Sequence, residues 1–300
     1  MAGRTLRQAR IERKRERRRN GFVVWEVLAL LVVGLLLAGV VTEWREVLAK
    51  KSNAIRCLAN GRLMMQAFAL YAKDHGGLLP PNEDVVYPAH TWFGAVSGSN
   101  VEGTNPQLAG DAKINLLAPY ARDLKIWKCP ADRSWTSIGG KRVPKVRSVA
   151  MNLAVGTVCN LFPAGHSGAP HLRTHGSWLD GAYGHRRDTR FRTFGKESEF
   201  VRPAGTFVFM EEHPASLNDG VFGTPGYDPA RPTLSTVRWV DYPSVHHGNA
   251  AGVTFGDGHA EIHRWRGLKY PATGLPMSQV TAVQRVDWEW LGRHATQALP

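Results

Sequence analysis

The hydrophobic pattern of this 300-residue chain changes character twice. Over residues 22–41 apolar side chains are nearly continuous, with Glu26 the one charge among twenty positions. A helix of that length spans about 30 Å, the thickness of a bilayer's hydrocarbon core. Over residues 42–75 the pattern becomes amphipathic. Ile55, Leu58, Ala59, Leu63, Met64, Ala67, Leu70 and Tyr71 recur at three- and four-residue steps, with Arg45, Lys50, Lys51, Arg56 and Arg62 largely between them. That spacing predicts a helix face laid on a core. No proline precedes Pro80, so one helix is predicted from Phe22 to about His75, roughly 80 Å long. Gly76-Gly77 ends it, and Pro80-Pro81 prevents its resumption.

Beyond residue 80, short apolar runs alternate with Gly, Pro, Asn and Asp. A short helix is predicted at 114–124 and strands at 148–158, 205–210 and 236–241. Segments 251–255 and 259–265 flank Gly256-Asp257-Gly258, a hairpin signal. Residues 163–198, rich in Gly, His and Arg, are predicted to be a long solvated loop. A long N-terminal helix packed on an antiparallel sheet is an α+β architecture. The chain divides into a basic leader (1–21), a transmembrane helix (22–41), the extramembrane half of the same helix (42–79) and a β-rich globular domain (80–300).

Charge sharpens this division. The leader carries nine Arg or Lys residues against Glu12 and Glu16, which is +7 of the formal +13. The high isoelectric point is therefore mostly a property of the leader, and no nucleic-acid partner is expected. Basic residues ahead of an apolar span keep that end cytoplasmic and send the remainder across. A secretory signal peptide is disfavoured, because its apolar core is only about 7–15 residues and an A-x-A-like site follows it. A carboxylate within the hydrocarbon layer costs about 2.5–3.5 kcal/mol, so Glu26 requires a partner.

A basic leader, then Gly21-Phe22, then an apolar run with a glutamate at Glu26 resembles the class III signal of type IV prepilins and type II secretion pseudopilins. The resemblance implies cleavage after Gly21 by a prepilin peptidase and methylation of the new Phe22 terminus. It also implies assembly with other pilin-like subunits on an inner-membrane platform. Anchored in membrane lipid, the subunit would keep its leader cytoplasmic and its globular domain periplasmic. Glu26 of one subunit would neutralise the α-amino group of Phe22 in its neighbour, which sets one packing register. The competing reading is an uncleaved tether carrying an exported metal- or ligand-binding domain, with or without enzymatic activity.

A second resemblance lies in the body. In HGNAAGVTFGDGH, His247 is followed by nine residues and then Asp257-Gly258. This is similar to the prepilin-type processing-associated H-X9-DG family, whose other elements resemble Cys57/Asn60/Leu63, Cys129-Pro130 with Asp132, Arg147-Ser148 with Met151-Asn152, Glu211-Glu212-His213 through Asn218-Asp219-Gly220, and Asp287-Trp288 with Leu291. The resemblance implies a pilin-like fold.

The body's chemistry has two candidate foci. Glu211, Glu212, His213 and Asp219 follow an apolar strand, while His247, Asp257 and His259 bracket the predicted hairpin. Brought together, these groups would hold a divalent metal: Zn²⁺ through imidazole and carboxylate, or Ca²⁺ through carboxylate oxygens. Against this stands a structural reading, in which Asp257 shapes the turn and His247 fixes the hairpin register. His259, Glu261 and His263 share a strand face by period two. Cys57, Cys129 and Cys159 match no zinc spacing. An exported domain permits a disulfide, with Cys57–Cys129 the preferred pairing of three, against three buried thiols. No G-x-S-x-G, H-E-x-x-H or P-loop is present, and a non-enzymatic role is expected.

Overall fold

The computed structural model describes residues 2–84, 91–94, 102–158, 173–184, 189–231, 237–269 and 277–300. Cys159, His166, His171, His185, Arg186, Arg187 and Thr236 lie outside these. The chain forms two compact units, Met1–Ser52 and Asn53–Pro300, and one helix, α1 (Ala2–Asp74), runs through both.

α1 starts well before the predicted Phe22, because the basic segment consists mainly of Arg, Lys, Gln and Glu, all good helix formers. Gly21 sits within it at a cost of about 1 kcal/mol relative to alanine. Among the described residues, α1 is the one helix long and apolar enough to cross a membrane, and none of its most apolar window is buried in the chain. Trp25, Leu30, Leu35 and Leu36 are all exposed. The helix ends where expected: Gly76 and Gly77 adopt φ of 64° and 85°, and the Gly77 amide donates to the Ala72 carbonyl at 2.7 Å.

In the second unit, α1 buries Cys57, Gly61, Met64, Met65, Phe68 and Ala72, a stripe at helical spacing. The predicted face was rotated relative to this one, for Ile55, Leu63 and Leu70 are exposed. Closeness to the sheet selects the stripe. A Cβ on Gly61 would lie 2.4 Å from Cγ2 of Thr254, so only glycine lets the helix approach there. Phe68 meets Phe209 edge-on at 5.8 Å.

The hairpin β1 (Trp135–Ile138) and β2 (Lys141–Pro144) turns through Gly139-Gly140, both at positive φ. The main sheet holds β3 (Val149–Asn152), β4 (Phe207–Glu211), β5 (Val221–Phe222), β6 (Ala250–Phe255) and β7 (Ala260–Arg264). Its order is β5-β3-β4-β6-β7. All pairings are antiparallel except β3 with β5, which is parallel. The sheet is thus mixed rather than purely antiparallel, and the α+β class holds.

β3, β4 and β6 are buried at every position, as strands covered on both faces must be. One core cluster joins α1 to Trp92, Trp127, Val208 and Phe209. The other joins Met210, Trp239, Tyr242 and Trp265 to Trp288 and Leu291 of α3 (Arg285–Ala295). The sequence pattern did not reveal α3. The helix predicted at 114–124 is instead two 3₁₀ turns, Ala118–Tyr120 and Leu124–Trp127. Pro119 at the start of the first and the Asp123 cap of the second set separate registers. Segment 236–241 forms no strand among its described residues, beyond a bridge from Arg238 to Gln279. Within 163–198, predicted to be solvated, several described residues pack inward instead: His175, Leu179, Phe191 and Phe194 are buried, and Nδ1 of His175 lies 3.0 Å from Oε2 of Glu83, while 180–183 and 196–198 are exposed.

Candidate functional site

Four chain segments converge beneath α1. Cys57 comes from the helix, Cys129 follows the Leu124–Trp127 turn, Glu211 ends β4, and His247 leads into β6. One ligand atom from each lies within 4.8 Å of all the others. Cys57 Sγ donates to Glu211 Oε1 at 2.8 Å. Nε2 of His247 is 3.3 Å from that same oxygen and 3.3 Å from Cys129 Sγ. Glu211 Oε2 accepts from the Gly252 amide at 2.8 Å, and the Ala131 amide donates to Cys129 Sγ at 3.3 Å.

The backbone explains the placement. β4 is antiparallel to β6, so the end of β4 lies beside the start of β6. There the chain turns through Gly248 and Asn249, at φ of 70° and 59°, and this bend carries His247 back over Glu211. Helix α1 reaches the pair because Gly252 offers no side chain: a Cβ there would be 2.4 Å from Cys57 Sγ. Opposite, the Cys129 amide donates to Ser148 Oγ at 2.7 Å.

The electrostatics follow from burial and contact. Burial alone would raise the Glu211 carboxyl, but hydrogen bonds and charge from His247, with hydrogen bonds from both thiols, bring it down to about 2. Burial would lower His247, yet its bonds to Cys129 and Glu211 raise it to about 10. The hydrogen bond between the two thiols comes first for each: it raises Cys57 and lowers Cys129. Cys129 is thereby the more thiolate-like sulfur.

The predicted metal set does not assemble as one site. Only Glu211 and His247 enter the cluster, and their partners are Cys57 and Cys129. The expected Cys57–Cys129 disulfide is not formed; both are free buried thiols, each engaged by the carboxylate or the imidazole. Glu212, the next residue of an extended chain, points to the opposite side of the sheet. It lies buried near Arg147, Asp219 and Asp241, and burial followed by the Asp241 charge raises it well above the usual carboxylate range. Asp219, raised to about 7 by burial and then by Asp84, accepts from the Val221 amide at 2.7 Å. Its carbonyl takes a short bond from Arg147, whose other terminal nitrogen donates to Val149 O at 2.6 Å. His213 accepts from the Ala215 amide at 3.1 Å, and burial, then the His246 charge, holds it at about 4.

Asp257 and His259 are separated from His247 by the whole of β6, roughly 20 Å at strand rise. The nine-residue spacing thus puts the two signature residues at opposite ends of one strand. Asp257 shapes the hairpin turn: its Oδ1 accepts from the His259 amide at 3.1 Å and lies 2.5 Å from His259 Nδ1. Both side chains are partly exposed. The expected Ca²⁺-type set of carboxylate oxygens is therefore not brought together.

Other motif residues are braces. Asn152 Nδ2 donates to Phe207 O and Ala295 O, each at 2.8 Å. Asp132 caps the Ser134 amide at 2.7 Å, and Asp287 accepts from the amides of Arg266, Gly267 and Leu268. Asn60 donates to Lys128 O at 3.3 Å. The chain matches no known protein family, no curated protein and no solved structure.

Proposed function

We propose that this chain is a membrane-anchored, non-enzymatic subunit of the pilin-like kind, made with a basic leader and assembled through its N-terminal helix. One observation carries the reading: a continuous helix whose apolar stretch is exposed among the described residues, preceded by a strongly basic segment and interrupted by a single glutamate. Exposed apolar surface of that extent needs lipid or other helices around it. The leader stays in the cytoplasm. Cleavage after Gly21 creates an α-amino cation at Phe22, the partner that Glu26 of an adjacent subunit requires. The globular unit then lies outside the inner membrane, where a prepilin peptidase, other pilin-like subunits and an assembly platform are its partners.

Mass spectrometry of the native protein tests this. A mature chain starting at Phe22, N-methylated, is the expected result, whereas a chain retaining residues 1–21 would end the proposal. The tether reading draws on a different observation, the Cys57–Cys129–Glu211–His247 cluster, and predicts that substitutions of Glu26 are without effect.

A further inference from the structure

We infer that Cys57, Cys129, Glu211 and His247 form a closed, four-coordinate binding site for a single Zn²⁺ ion, which clamps helix α1 to the sheet. The donor set, the spacing and the surroundings each support this, and none depends on whether the leader is removed.

The donors are two sulfurs, one imidazole nitrogen and one carboxylate oxygen. Zn²⁺ takes such mixed sets tetrahedrally, whereas Ca²⁺ and Mg²⁺ require oxygen cages. Tetrahedral zinc, with bonds of about 2.0–2.3 Å, spaces its donors about 3.3–3.8 Å apart. Here the Cys129–His247 and His247–Glu211 separations are each 3.3 Å, Cys57–Glu211 is 2.8 Å, and no pair exceeds 4.8 Å. These separations bracket the tetrahedral spacing.

The surroundings provide support. A cavity of about 10 Å³ with mainly apolar walls borders Cys57, Cys129 and Glu211 but not His247, so the ion would sit among the donor atoms beside that space. The second oxygen of Glu211 is held by the Gly252 amide, and the sulfur of Cys129 receives the Ala131 amide. Outer-shell bonds of this kind orient metal ligands and favour thiolate. On binding, the thiols and the protonated His247 imidazole release their protons to solvent, so that two thiolates, one carboxylate and a neutral imidazole are the donors. Two thiolates and a carboxylate then face a divalent cation, with a net charge of −1.

The function follows from closure. All four positions are filled by protein, leaving none for water or substrate, as in structural zinc sites. The ligands come from α1, the Cys129 loop, β4 and the turn before β6, so the ion joins elements far apart in sequence. It replaces the disulfide that the cysteines alone suggested.

The test uses the full chain in detergent. The protein is reduced, stripped with chelator, reloaded with Zn²⁺ or Co²⁺ and desalted. One zinc per chain is expected by elemental analysis, with a thiolate-to-cobalt charge-transfer band and the intense d–d bands of four-coordinate cobalt. His247→Gln should weaken binding more than tenfold, and Cys57→Ser with Cys129→Ser should abolish it along with the charge-transfer band. The cobalt spectrum of the wild-type chain decides the matter even if those variants misfold. Absence of stoichiometric zinc, a cobalt spectrum without thiolate character, a folded double variant with undiminished affinity, or a Cys57–Cys129 disulfide in freshly isolated protein would each overturn the assignment.

Discussion

Gly252 illustrates how one residue governs the site. It lies in the middle of β6, where glycine weakens a strand, yet the Cys57 sulfur occupies the space that a side chain there would need. In Gly252→Ala, the new methyl would also sit 3.2 Å from the Glu211 carboxyl carbon. Overpacking of this kind costs about 1–3 kcal/mol. Thermal unfolding of the full chain should therefore show a lowered Tm, and zinc retention should fall with it. An unchanged Tm would mean that α1 does not press on β6 as described. At the same scale, Glu211 and Glu212 adjoin in sequence yet belong to different environments, because successive strand residues face opposite ways.

At the scale of elements, β7 and α3 are joined by an aromatic stack. His263 lies on Trp290 at 3.6 Å, and Trp290 on His294 at 4.1 Å. Burial first, then the His294 charge, holds His263 at about 4 against an ordinary 6.5, with Arg266 adding to the depression, Asp287 opposing it, and Glu261 at 3.5 Å. His294 is depressed too, chiefly by burial. Between pH 6.5 and 4 the unfolded chain thus binds more protons at His263 than the folded chain. Stability should fall as pH drops through that window, by on the order of 1–3 kcal/mol for a partly buried histidine. Denaturant melts of wild type and His263→Gln, compared at pH 7 and 4.5, check this. The variant should lose less on acidification, and parallel losses would refute the assignment to His263.

For the whole molecule, the apolar stretch of α1 and the globular unit make separable predictions. A Glu26→Val chain should fractionate with membranes as the wild type does, since replacing a carboxylate by an aliphatic group favours insertion. It should fail to appear in sheared filaments or in crosslinked oligomers of pilin-like subunits. Normal assembly of that variant would remove Glu26 from the packing role. Its zinc content should be unchanged, because all four ligands belong to the second unit.

What the sequence determined by itself is what depends on near neighbours. The apolar run, the glycine stop at Gly76-Gly77 and the β6–β7 hairpin around Asp257 were all legible, because helix and strand periods and turn preferences are local. α3 escaped notice, and the buried stripe of α1 was rotated, because the fit against Thr254 and Trp288 is set by distant packing. The site divided in the same way. Glu211 and His247 stood out as ionisable groups beside strands. Cys57 and Cys129 stood out as a disulfide pair, but their spacing along the chain matched no metal pattern, and nothing local linked them to Glu211 and His247. Only the antiparallel placement of β4 against β6, with α1 laid over both at Gly61 and Gly252, decided that the four would meet. Contact between residues 57, 129, 211 and 247 is a property of the closed fold, since no local interaction brings them within reach.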